Sequence, residues 1–143
     1  MRIERLASGD RDTVAAAAAL FDTPPRAEAI ERFLASHTHH LLMAFEGEGP
    51  VGFVTGVETT HPDKGTEMFL YELSVAPEHR RRGIGTALVA ELGRLARERG
   101  CYAMWVATDT DNTAAIATYR SAGASEPEAV VVLDWTFEGS QET

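Results

Sequence analysis

Cysteine is nearly absent from this sequence: Cys101 stands alone among 143 residues, so no disulfide framework holds the chain together. None is required, because a domain of this length buries roughly 68 to 70% of its unfolded surface. Bases are scarce as well, with 13 Lys and Arg against 22 Asp and Glu and a formal net charge of −9. That balance repels phosphate backbones and anionic lipid, so neither nucleic acid nor membrane is an expected partner. No apolar run approaches the roughly 18 residues of a membrane span, and Met1 to Glu4 has neither the basic start nor the apolar stretch of a secretory signal. The expectation is one cytoplasmic domain covering residues 1–143.

Several catalytic signatures are missing too. There is no Gly-x-x-x-x-Gly-Lys-Ser/Thr, and Leu88 stands where Gly83-x-Gly85 would need the third glycine of a dinucleotide fingerprint. Ser74 has no G-x-S-x-G setting. His37, His39 and His40 have neither a Cys partner nor an H-E-x-x-H companion, so no metal is expected. Cys101 reads as a small buried residue and not as a nucleophile.

What is present alternates between strands and helices. Arg2 to Leu6 reads as a strand, and Asp10 as the N-cap of a helix reaching Phe21. Thr23-Pro24-Pro25 breaks the chain before a helix from Arg26 to Ser36, where Ala29, Ile30, Phe33 and Leu34 recur at helical spacing. Leu41 to Phe45 and Val51 to Val57 flank a hairpin turn, Glu46 to Pro50. Past a second turn, His61 to Gly65, the run from Glu67 to Val75 is apolar on both faces apart from Glu72 and Ser74, the mark of a doubly covered strand. Ile84, Ala87, Leu88, Leu92, Leu95 and Ala96 form the stripe of a long helix stopped by Gly100. A strand at Tyr102 to Ala107, a helix from Thr113 to Ala122 closed by Gly123, and a final strand from Ala129 to Phe137 complete the order. Strand, helix, strand over residues 67–107 implies parallel pairing by a right-handed crossover. The sum is an α/β chain of the α+β type, a mixed and mainly antiparallel sheet with helices on both faces.

Charge is unevenly spread. Six of the bases lie between Arg80 and Arg99, whereas residues 101–143 hold Arg120 against seven acids. The basic island contains Arg80-Arg81-Arg82-Gly83-Ile84-Gly85-Thr86, set between the apolar strand and the long helix. Glycines let the backbone turn tightly, and the first helical turn leaves about four N–H groups unpaired. With the helix dipole and three arginines alongside, such a turn suits a pyrophosphate; a plain helix start with surface arginines is the alternative.

This R-x-x-G-x-G segment resembles the acetyl-coenzyme A motif of the GNAT superfamily of N-acetyltransferases. Asn112-Thr-Ala-Ala-Ile-Ala-Thr-Tyr119-Arg-Ser-Ala-Gly123 is similar to the N-x-x-A-x-x-x-Y-x-x-x-G helix of the same superfamily, and the likeness covers roughly residues 40–137. Within it, Tyr71 to Leu88 and Gly100 to Asp111 are similar to class I aminoglycoside 3-N-acetyltransferases, which usually carry Asp where this chain has Glu72. The resemblance implies a GNAT fold, acetyl-coenzyme A as cosubstrate, and direct transfer to an amine in a ternary complex. Leu73, Ser74 and Val75 would hold the pantetheine arm along the strand, and Arg80 to Thr86 would hold the pyrophosphate. Asn112 would bond the coenzyme or cap its helix.

Glu72 is the candidate base. A carboxylate in an apolar strand is costly to bury unpaired, and the family has an acid there near the acceptor amine. Tyr119 is the candidate acid for the departing thiolate, since a phenol of pKa ~10 can protonate sulfur of similar basicity. A structural carboxylate and a core tyrosine are the competing readings. Asp109, Asp111 and Asp134 are candidate contacts for a small polycationic amine, most plausibly an aminoglycoside, or else surface charges. A polyamine, an amino acid or a protein N-terminus is the alternative acceptor, and a non-catalytic acetyl-coenzyme A sensor the alternative class. A homodimer is left open.

Overall fold

The computed structural model describes residues 1–137. Five strands, β1 (Arg2–Arg5), β2 (His39–Glu46), β3 (Gly49–His61), β4 (Gly65–Val75) and β5 (Met104–Trp105), lie side by side in chain order. The first four pair antiparallel, and β5 runs parallel to β4. β2 is buried at six successive positions, because both faces of the sheet are covered.

Alternation along β2 sorts its side chains between two cores. Leu42 and Ala44 pack with Val54, Met68 and Leu70 under α3 (Ile84–Glu98), whose Ile84, Leu88, Val89, Leu92 and Ala96 form the buried stripe. Leu41, Met43 and Phe45 pack on the opposite face with Phe53, beneath Val14 of α1 (Arg11–Ala16) and Ile30 and Leu34 of α2 (Ala27–Ala35). A fourth helix, α4 (Thr113–Ser121), contacts α3. The mixed, mainly antiparallel sheet with helices on both faces is as the sequence implies.

Three elements differ from the sequence reading. α1 stops at Ala16 and the chain passes through a 3-10 turn at Ala18–Leu20, although the alanine run favours helix. Burial decides here, because Phe21 leaves the helical path to stack on Phe53 with ring centroids 4.3 Å apart. The Asp10 carboxylate does not cap α1; it accepts from the Ala7 N–H at 2.8 Å. β5 has only two residues, and its pairing is limited to Met68↔Met104 and Phe69↔Trp105. Finally, Ala129 to Phe137 forms no strand, and no β-ladder among the described residues receives it.

Candidate active site

The β3–β4 register passes from Thr55↔Glu72 to Gly56↔Leu70, so Tyr71 is the extra residue of a bulge. A bulge shifts the alternation of its strand by one. Before it, Met68 and Leu70 face α3; after it, Leu73 and Val75 do. Glu72 and Ser74 are thereby turned to the α1–α2 side, where Ser74 Oγ donates to the Leu20 carbonyl at 2.7 Å. Without the bulge, Glu72 would share its face with Met68 and Leu70.

Glu72 opens into a cavity of about 260 Å³ lined by Val14, Phe21, Pro24, Pro25 and Phe33. Thr55, itself buried, binds the residue twice: its Oγ1 donates to Glu72 Oε1 at 3.4 Å and accepts the Glu72 N–H at 3.1 Å. Burial lifts the Glu72 carboxyl above its ordinary range. Repulsion from Asp22 adds to that, and the Thr55 hydroxyl partly offsets it. A carboxylate held in this way is a better proton acceptor than a solvated one.

Beyond the bulge, no strand among the described residues pairs with β4 on its β5 side, so the backbone of Tyr71 to Val75 faces an opening. The opening leads to the turn before α3. There Arg81 takes φ 64° and Gly83 φ 80°, a left-handed conformation that glycine adopts without strain. The N–H groups of residues 81–86 donate to no protein acceptor among the described residues. Six successive unpaired donors at a helix N-terminus match what a diphosphate needs. Arg80 is braced on the Val75 carbonyl at 3.1 Å, and Arg82 on His79 and Glu46. Arg81 is exposed and has no protein partner among these residues.

A Cβ on Gly85 would lie 3.3 Å from Thr118 Cγ2, 3.7 Å from Leu73 Cδ2 and 3.7 Å from Val75 Cγ2. The start of α3, the open stretch of β4 and α4 therefore meet at one corner. Tyr119, next to Thr118, packs partly buried against that core. Its hydroxyl makes no hydrogen bond to the protein among the described residues, and burial pushes the phenol above its ordinary pKa, keeping it protonated. Asn112 caps α4, its Oδ1 accepting from the Ala115 N–H at 3.1 Å.

The three candidate substrate aspartates do not join Glu72. Asp109 and Asp111 are exposed on the loop between β5 and α4, and Asp134 is exposed beyond α4; none lines the cavity. The acid that the fold does bring to Glu72 is Asp22, which the sequence reading missed along with the Phe21, Pro24, Pro25 and Phe33 walls. The only local signal was the proline pair, read as a chain break. Cys101 is half-buried against the α3 core, and burial raises its thiol pKa. Among the described residues no three His, Cys, Asp or Glu side chains are grouped so as to hold a metal.

A sheet opened by a bulge in its fourth strand, with a carboxylate beside the bulge and a bare helix start at the end of the opening, defines an acyl-coenzyme A acyltransferase architecture. The chain belongs to the GNAT acetyltransferase family, whose model matches residues 10–124. It is 37% identical over 60 residues to the [ribosomal protein bS18]-alanine N-acetyltransferase of Escherichia coli (strain K12), a match spanning 42% of this chain and 40% of that protein. Its fold is similar to the aminoglycoside acetyltransferase meta-AAC0020 from an uncultured soil metagenomic sample, with TM-score 0.88, 24% identity and 96% of each chain covered. It is also similar to AAC(6')-Iy in complex with a bisubstrate analogue, CoA-S-monomethyl-acetylneamine, with TM-score 0.81, 21% identity, and 95% and 98% of the chains covered. Because a 6'-N enzyme is among these fold relatives, the fold itself does not carry the 3-N assignment.

Proposed function

We propose that the chain is an acetyl-coenzyme A dependent N-acetyltransferase that acetylates a primary amine of a small polycationic acceptor, an aminoglycoside, by direct transfer. One observation carries the reading: the Tyr71 bulge turns the Glu72 carboxylate into the α1–α2 cavity while leaving the next residues of β4 open along their β5 edge. An amine entering from one side of the sheet then meets a thioester arm lying along the other.

Bound acetyl-coenzyme A supplies the activated acetyl group. Leu73, Ser74 and Val75 offer backbone groups to its arm, and the free N–H groups of residues 81–86 with Arg81 offer donors to its diphosphate. Glu72 takes a proton from the acceptor ammonium, with Asp22 adding to the attraction for a cation. As the C–N bond forms and the C–S bond breaks, Tyr119 gives its phenolic proton to the leaving sulfur, and the proton shed by the new amide nitrogen restores the phenol. The net charge of −9 and the exposed Asp109 and Asp111 draw a polycation toward the surface. Apolar walls suit the C–H faces of a sugar ring, and relatives of this fold are aminoglycoside acetyltransferases.

The same walls favour a second reading, an α-amine on a peptide that begins with a small apolar residue, and the bS18-alanine N-acetyltransferase relative points the same way. Thiol release from acetyl-coenzyme A, followed with aminoglycosides, polyamines and an Ala-initiated peptide, separates the two. Turnover with an aminoglycoside at least tenfold more efficient than with the peptide supports the first reading, and the reverse order supports the second. Tight acetyl-coenzyme A binding with no turnover on any amine would refute both.

A further inference from the structure

A row of aromatic rings on β4 and β5 belongs to neither core. Phe69 stands between Met68 and Leu70, which face α3, so alternation turns it to the α1–α2 side of the sheet. Its parallel partner Trp105 turns the same way, because the preceding Met104 approaches α3, its Cε 3.6 Å from where a Cβ on Gly93 would stand. The Phe69 ring lies 4.4 Å from Trp105 and 5.5 Å from Tyr71, centroid to centroid. Three rings thus form one floor, on the face that carries Glu72.

The helices do not roof this floor. The α1–α2 core draws its sheet residues from β2 and β3 and, among the described residues, none from β4 or β5. Tyr71 is 64% and Trp105 49% exposed in consequence, with Phe69 half-buried between them. Exposed apolar surface of this kind is characteristic of ligand grooves. Charge frames it as well: Tyr71 leads directly to Glu72, whose carboxylate feels that of Asp22, and Glu67, two positions before Phe69 on the same face, is held by His61 at 2.5 Å. Carboxylates therefore stand at both ends of the row.

We propose that Tyr71, Phe69 and Trp105 form a second acceptor subsite, a stacking floor for the ring adjoining the one whose amine is acetylated; this rests on the aminoglycoside reading of the Glu72 site. The electron-rich faces of the rings attract C–H and ammonium groups, and an aminated sugar or cyclitol ring is edged with both. One ring then covers the floor while its neighbour presents an amine to Glu72. A peptide is a poorer occupant, since the floor offers ring faces and the amides laid on them would lose water without gaining partners. The subsite makes the enzyme selective for acceptors of at least two rings.

The test uses the full chain saturated with coenzyme A, so that binding is read without turnover. Calorimetry compares neamine, a two-ring aminoglycoside, with its two single-ring halves in the parent, in Trp105→Ala and in Trp105→Tyr. Trp105→Ala should weaken neamine about tenfold or more and Trp105→Tyr should recover most of that loss, while the tighter-binding half changes by less than about twofold. An unchanged neamine affinity, an equal loss for neamine and both halves, or no recovery in Trp105→Tyr overturns the proposal, as does a parent that binds no neamine. Thiol release from acetyl-coenzyme A separates this failure from that of the underlying reading. Neamine acetylated with the same KM in parent and Trp105→Ala removes the floor and leaves the aminoglycoside reading standing. The expected binding pattern without thiol release removes that reading and leaves the floor as a ring-binding subsite.

Discussion

Replacing Glu72 with Gln removes one proton acceptor while keeping the shape of the side chain and a hydrogen-bonding atom near Thr55, so its consequences isolate the charge. An amine of pKa ~10.4 is neutral in about one molecule in 2,500 at pH 7. With a base in place, kcat/KM should level off once Glu72 is ionised; without it, only amine that is already neutral reacts, and the variant should gain about tenfold per pH unit until the amine titrates. The deficit of Glu72→Gln, on the order of 10² to 10⁴ at pH 7, should therefore shrink about tenfold for each unit toward pH 9. The acid limb of the parent should lie above the ordinary Glu value, because burial first and Asp22 second disfavour the charged form against the pull of Thr55. Asp22→Asn should move that limb down. Initial rates from pH 5.5 to 9.5 with saturating acetyl-coenzyme A measure all of this. A variant whose profile runs parallel to the parent at every pH would exclude a base at this position.

Stability should move in the opposite sense to activity. A carboxyl whose folded pKa is raised binds its proton more tightly in the native state than in the unfolded chain, so its contribution is fullest below the ordinary value and is lost as pH rises through the folded one. Gln removes the desolvated charge that then weakens the fold. The Tm of Glu72→Gln should exceed that of the parent at pH 8 and the difference should close near pH 4; a gain independent of pH would assign it to packing alone.

Tyr119→Phe should lower kcat by up to about 10² to 10⁴ with acetyl-coenzyme A affinity and Tm little changed, because the hydroxyl it removes bonds no protein group among the described residues; an unchanged kcat would remove Tyr119 from the proton path. Gly52→Ala would set its Cβ 2.8 Å from the Ser74 carbonyl oxygen and 3.3 Å from Leu88 Cδ1. Strand or helix must shift, at a cost of about 1 to 3 kcal/mol in urea unfolding, and an unaltered midpoint would contradict the seating of α3. His40 is buried, with Arg5 Nε donating to its Nδ1 at 2.9 Å and its Nε2 bonded to Glu58 at 2.7 Å. Burial, chiefly, lowers its pKa, so the stability it contributes is present above the ordinary value of about 6.5 and is lost as pH falls through the folded one. Tm should drop between pH 7.5 and 5, less steeply in His40→Gln, and equal slopes would reject the assignment.

What could be read from the residues in order was what depends on neighbours in sequence. The turn chemistry of Glu46 to Pro50, the apolar run into Val75, the stripe of α3 and the R-x-x-G-x-G turn are all local patterns, and each has its counterpart in the structure. The Tyr71 bulge has none, because an extra residue exists only relative to a facing strand: β3 supplies one partner fewer between Thr55 and Gly56 than β4 has residues. Yet this offset decides which face Glu72 takes. It also lies where β4 has already lost its second neighbour, since β5 pairs only as far as Phe69 and is shorter than the periodicity of Tyr102 to Ala107 implies. Asp22 was hidden for a related reason, since it stands 50 positions before Glu72 in the chain and only a folded sheet brings the two together.

The final strand is the reverse case. Residues 129–137 carry strand composition without a ladder among the described residues, so propensity was legible in the sequence and pairing was not. A β-strand is a relation between two backbones, and its pattern in sequence specifies only one of them. The bulge and the tail thus share a physical origin: each is a mismatch between what one stretch of chain offers and what its neighbour receives. At Tyr71 the mismatch is resolved inside the chain by the bulge, and at Val130 to Trp135 it leaves apolar surface exposed.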